Sequence, residues 1–147
     1  MEQSYPGLRA SPQWDHRNVV MNLTSRGIAG QPRLLIVDDA ADALDAWALL
    51  LRTEGFAVTT ATGGLEGLQQ ARACRPALII TDLMMPGMDG LALCRALKAD
   101  PVLKPIPVIL WTAATISIVK PVFECFLLKP AAPNILLEHI VALLVKA

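Results

Sequence analysis

The sequence predicts an α/β domain, a doubly wound parallel sheet of five strands with helices on both faces. Five short runs rich in Ile, Val and Leu lack polar alternation, which marks strands buried on both sides. Stretches with helical spacing separate most of these runs, and right-handed crossovers then wind the chain over both faces. Four of the five runs end on an aspartate, a threonine or a lysine, so polar groups collect at one end of the sheet.

Leu34-Leu35-Ile36-Val37 reads as the first strand, followed by Asp38 and Asp39. The spacing of Ala43, Leu44, Trp47, Leu50 and Leu51 predicts a helix over 40–54. Gly55 stands where a helix end needs a left-handed residue. Residues 57–61 are expected as the second strand and 64–74 as the second helix. Residues 77–81 read as the third strand, running into Asp82. A loop containing Pro86 and Gly87 leads to a third helix over 91–99, stopped by Asp100-Pro101. The fourth strand, 107–111, ends at Thr112. The fifth, 126–128, ends at Lys129-Pro130, and a last helix is expected over 134–146.

With 147 residues the chain has the length of one domain plus a tail. Residues 1–32 are expected to be a flexible N-terminal extension, because Pro6-Gly7, Ser11-Pro12, Gly27, Gly30 and Pro32 interrupt any period. The domain proper is expected over 33–147. Hydrophobic residues make up 54% of the chain and charged residues 18%, which excludes a disordered polyelectrolyte. Thirteen basic and thirteen acidic residues cancel, so no charge footprint for direct nucleic-acid binding is expected. Cys74, Cys94 and Cys125 have neither disulfide nor zinc spacing and read as reduced thiols. The longest uncharged stretch, 105–119, is too short for a membrane span, and the N-terminus lacks a basic start with an apolar run. A cytoplasmic protein without membrane contact is the expectation.

In an open α/β sheet, ligands bind beyond the carboxyl ends of the strands. Asp38, Asp39, Asp82, Thr112 and Lys129 occupy those ends. Three carboxylates brought together repel one another unless a cation joins them, and hard oxygen donors with open positions suit Mg²⁺. A carboxylate beside such an ion can act as a nucleophile and form an acyl phosphate. A lysine and a hydroxyl can bind the phosphoryl oxygens that remain.

Four motifs in order, Leu35-Ile36-Val37-Asp38-Asp39, Thr81-Asp82-Leu83-Met84-Met85-Pro86-Gly87-Met88-Asp89-Gly90, Trp111-Thr112-Ala113 and Leu127-Leu128-Lys129-Pro130, closely resemble the receiver domain of two-component response regulators. The resemblance covers about residues 33–147. It implies the flavodoxin-like receiver fold with strand order 2-1-3-4-5. It also implies that Asp82 is the phosphoacceptor, taking a phosphoryl group from a sensor histidine kinase or a histidine phosphotransfer protein. By the same resemblance Asp39 ligates Mg²⁺ directly, Asp38 holds a metal-bound water, and Asp82 and the backbone carbonyl of Met84 complete the protein ligands. Thr112 and Phe126 take the switch positions, Lys129 pairs with the phosphoryl group, and the Lys129–Pro130 bond is cis. Met84 and Ala114 stand at positions that set the rate of phosphoryl loss; neither can orient a water, which implies a long-lived phosphoryl state.

Each residue also has a plainer reading. Asp38-Asp39 can cap a helix, Thr112 can bond its own backbone, Lys129 can be solvated and Phe126 can be core. Asp89 is expected to cap the third helix, and His16 and His139 read as structural. The segment between Thr112 and Lys129 is shorter than the family's usual one. It carries β-branched Thr115, Ile116, Ile118 and Val119 and then Pro121, so the family's fourth helix is expected to be shortened or missing. On the last helix the apolar set from Ile135 to Val145 is wider than one buried stripe requires. Both an over-hydrophobic core helix and a face for a homodimer or partner fit it.

The leading expectation is thus a stand-alone receiver that is not an enzyme, signalling through an unknown downstream protein. The alternative is a phosphorylation-independent interaction or dimerisation module. A phosphohydrolase of the haloacid dehalogenase class would need a general acid two residues after the nucleophile, and Met84 stands there.

Overall fold

The computed structural model describes residues 30–113 and 122–146. Five strands form one sheet: β1 (Arg33–Val37), β2 (Ala57–Ala61), β3 (Leu78–Thr81), β4 (Val108–Thr112) and β5 (Cys125–Leu128). Their order is β2-β1-β3-β4-β5 and every pair is parallel. Among the described residues four helices accompany them: α1 (Ala41–Thr53), α2 (Gly64–Cys74), α3 (Gly90–Ala99) and α4 (Pro133–Lys146). The expected loss of a helix between β4 and β5 falls on residues 114–121, and the expected N-terminal extension falls almost wholly on residues 1–29. Both lie outside the described residues.

Alternation along each strand sends successive side chains to opposite faces. Leu34, Ile36, Leu78, Ile80, Ile109, Trp111 and Leu127 share one core with Leu44 and Leu51 of α1 and Leu136, Ile140 and Leu144 of α4. Leu35, Val37, Ile79 and Val108 join the other, with Leu68 and Ala71 of α2 and Leu93 and Leu97 of α3. Both faces of the sheet are therefore covered, as the unbroken apolar runs require. In the second core, burial pushes the Cys94 thiol up to about 12, so it stays protonated.

Element ends follow local chemistry. α1 closes on Gly55 at φ +100°, with Gly55 N–H donating to Arg52 O (3.0 Å) and Phe56 N–H to Leu51 O (3.1 Å). The strand expected from Pro107 starts at Val108, since proline has no N–H for the ladder, though its carbonyl still accepts from Ile79 N–H at 3.0 Å. α3 begins one residue earlier than expected, at Gly90, because Asp89 is the cap: its carboxylate accepts the Ala92 N–H at 2.8 Å. Pro133 opens α4, where a missing N–H costs nothing.

The wide apolar arc of α4 is used within the domain. Leu136, Leu137, Ile140, Val141 and Leu144 are buried in the first core, and Ile135 and Leu143 pack against it. Of the apolar set only Val145 counts as exposed. No helix of the described residues is long and apolar enough to cross a membrane.

Candidate functional site

Parallel strands share one direction, so the carboxyl ends of β1, β3, β4 and β5 form a single edge. Asp38 follows β1, and its N–H donates to Ala61 O at 3.1 Å, extending the ladder one residue. Asp82 follows β3, and its N–H donates to Val37 O at 2.9 Å. These two backbone bonds fix both carboxylates beside each other. Asp39 comes next and is exposed. Ligand atoms of Asp38, Asp39 and Asp82 all lie within 4.8 Å of one another.

The two inner carboxylates are held by donors of their own. Asp38 Oδ1 accepts the Ala40 N–H at 2.9 Å, a turn bond just before α1; no side chain caps that helix at Ala40, so the plainer reading as a helix-capping pair does not hold. Its other oxygen, Oδ2, accepts from Lys129 Nζ at 2.8 Å. Asp82 Oδ1 accepts the Leu83 N–H at 2.7 Å, and its Oδ2 lies 3.6 Å from the same ammonium. Lys129 is therefore not a solvated lysine. It bridges two carboxylates from different strands, across 91 residues of sequence in the case of Asp38.

Thr112 is buried at the end of β4, and its carbonyl accepts the Lys129 N–H at 2.8 Å, which sets the start of the lysine's reach. The Lys129–Pro130 peptide is cis. Phe126 is half-buried on β5, with its ring 6.2 Å from that of Phe123, so it is neither sealed in the core nor free of it. Met84 lies in the loop two residues past Asp82 with its side chain exposed. Ala114 lies outside the described residues. His139 is buried on α4, and burial lowers its pKa below the ordinary 6.5.

One pair at the site carries no signal in the sequence. Lys129 Nζ lies over the ring of Trp111, 5.1 Å from its centroid, and Trp47 meets that ring edge-on at 4.3 Å. Both tryptophans read as apolar positions in their elements. Only tertiary packing brings Trp47 of α1 against Trp111 of β4, the ring that lies under the lysine.

Chemically, the edge offers three carboxylates, open to solvent on the Asp39 side, together with an ammonium and the hydroxyl of buried Thr112. The donor set fits a hard divalent cation that keeps some of its water.

A family model, the response regulator receiver domain, matches residues 34–141. The DNA-binding response regulator MtrA of Mycobacterium tuberculosis is 33% identical over 113 residues, 74% of this chain and 48% of its own. The chain thus spans about half the length of the curated relatives it matches. A response regulator receiver domain protein from Methanospirillum hungatei superposes with TM-score 0.72 at 29% identity, over 80% of this chain and 96% of that one. The response regulator TrrA of Thermotoga maritima, solved in complex with Mg²⁺–BeF, superposes with TM-score 0.71 at 26% identity, over 77% and 99% of the two chains. On the matched family model, the strand order and the acidic edge, the chain belongs to the receiver-domain family of two-component response regulators.

Proposed function

We propose that Asp82 accepts a phosphoryl group from the phosphohistidine of a sensor histidine kinase or a histidine phosphotransfer protein, and that the phosphorylated domain signals in the cytoplasm through a protein partner. One observation carries the reading: the Asp82 carboxylate shares a 4.8 Å cluster with Asp38 and Asp39 while the Lys129 ammonium stands 3.6 Å away. In the transfer a carboxylate oxygen of Asp82 bonds to phosphorus as the P–N bond of the donor breaks. The imidazole leaves with the electron pair and takes up a proton.

Asp38, Asp39, Asp82 and the Met84 carbonyl would hold Mg²⁺, which supplies positive charge beside the transferring group. Lys129 neutralises a second phosphoryl oxygen by turning from Asp38, and Thr112 donates its hydroxyl to a third. The chain is a phosphoacceptor and not a turnover enzyme, so loss of the group is slow self-hydrolysis.

Intact mass after incubation with Mg²⁺ and acetyl phosphate tests this. The wild type should gain one phosphoryl group and Asp82→Asn none. A folded wild type that gains nothing with Mg²⁺ present would end the switch reading and leave a receiver-shaped binding module.

A further inference from the structure

Trp111 directly precedes Thr112 on β4 and is only 4% exposed. Its register partner on β5 is Leu127, and Lys129 follows two residues later, one past the last strand pair, Thr112 with Leu128. Its Nζ lies over the ring, 5.1 Å from the centroid, inside the roughly 6 Å at which a cation is attracted to an aromatic face. The ring is itself held. Trp47 of α1 packs against it at 84° with centroids 4.3 Å apart. α1 and β4 thus bring two rings together, and one of them, Trp111, lies under the ammonium carried just past β5.

We propose that Trp111 is a positioning residue for Lys129: its ring face, buttressed by Trp47, seats the ammonium where it spans Asp38 and Asp82. With the ring beside it, the ammonium donates to Asp38 at 2.8 Å and stands 3.6 Å from Asp82, within ion-pair range of both. A π face attracts a cation without dictating the direction of any N–H. It holds the charge in place yet lets the three hydrogens turn toward a group added to Asp82. An aliphatic side chain of similar size would exclude water equally but attract nothing. The indole Nε1 is buried without a hydrogen-bond partner among the described residues, so what Trp111 contributes is face and bulk, not a donor. A phenyl ring in its place therefore gives up no hydrogen bond.

In its kinetic consequence the inference rests on the phosphoacceptor reading; in its geometry it does not, and two measurements on the full chain keep them apart. By NMR, the ε-methylene protons of Lys129 should lie upfield of those of exposed Lys104, shifted by the ring current. Trp111→Leu should abolish the displacement and Trp111→Phe retain part of it. With saturating Mg²⁺ and acetyl phosphate, Trp111→Leu should take up phosphoryl groups roughly three- to ten-fold more slowly, and Trp111→Phe within about two-fold of wild type. Ordinary Lys129 shifts in the wild type would overturn the proposal even if neither variant folded. Equal slowing in both variants, in step with lost folded fraction, would reduce Trp111 to core packing. An upfield shift in a wild type that takes up no phosphoryl group would sustain the seat while sinking the acceptor reading.

Discussion

Asp38 does two jobs with two oxygens, one on the Ala40 N–H and one on the Lys129 ammonium, and this division is what locks the acidic edge to the start of α1. Backbone restricts the other side of the site just as tightly. Gly90, buried at the first position of α3, lies so close to the Asp82 carbonyl that a Cβ there would overlap its oxygen and crowd Leu83 Cα. Both obstacles are main chain, so a side chain cannot simply swing aside. Gly90→Ala must instead displace either the helix start or the backbone of Asp82, the proposed phosphoacceptor. The expected cost is about 1–3 kcal/mol, a melting temperature lower by several degrees. Phosphoryl uptake should slow as well, because the Leu83 N–H that orients Asp82 sits in the displaced stretch. Thermal melts alongside the mass assay check both, and an unchanged melt would mean that the loop yields without resistance.

Elements are legible in the sequence to the extent that their signals are local. β2 and α2 fall where alternation and spacing put them, and Gly55 closes α1 as its position suggested. The acidic edge was legible for a related reason: Asp38, Asp82, Thr112 and Lys129 each stand at or just past a strand end, and parallel strands bring such ends together. What sequence could not supply depends on residues far apart in the chain, such as Trp47 against Trp111, or Lys129 choosing Asp38 as its nearer partner. α4 shows the same limit. Its apolar arc is plain, but that nearly all of it would be absorbed by one core follows only from packing. The absorbed helix also carries a titratable group. Burial depresses His139 below its ordinary 6.5, so the folded protein keeps the imidazole neutral while the unfolded chain protonates it near that value. The stabilising contribution is complete above pH 6.5 and declines as the pH falls toward the folded pKa. Between pH 7 and 5 the melting temperature should drop, with a slope from this residue of at most about 1.4 kcal/mol per pH unit. His139→Gln should flatten the profile over that window; an unaltered slope would place the acid sensitivity elsewhere.

Across the whole molecule the two edges of the sheet are treated oppositely. At the amino-terminal edge, Lys98 Nζ donates to Lys104 O and Ile106 O, both at 3.1 Å, and to Glu124 Oε1 at 2.6 Å. Glu124 Oε2 in turn accepts the Val108 N–H. There one ammonium meets one carboxylate, tying α3 to β4 and to the start of β5. At the carboxyl-terminal edge, three carboxylates face one ammonium, an arrangement that favours an added cation. The imbalance makes stability a readout of metal binding. Mg²⁺ at ten times its Kd should stabilise the fold by about 1.4 kcal/mol, a rise of a few degrees in melting temperature that EDTA reverses. Two variants move the two ends of that difference. Asp39→Asn removes the exposed carboxylate, so the metal-free protein should melt no lower than wild type while most of the Mg²⁺ increment disappears. Lys129→Met removes the resident cation and leaves buried Asp38 without its ion-pair partner, which should destabilise the metal-free protein by about 1–3 kcal/mol. Its Mg²⁺ increment should exceed that of wild type, since the ion then answers charge that the lysine no longer offsets. If all three proteins melt identically with Mg²⁺ and with EDTA, the carboxylates are held apart by water and the lysine alone, and the edge is no metal site.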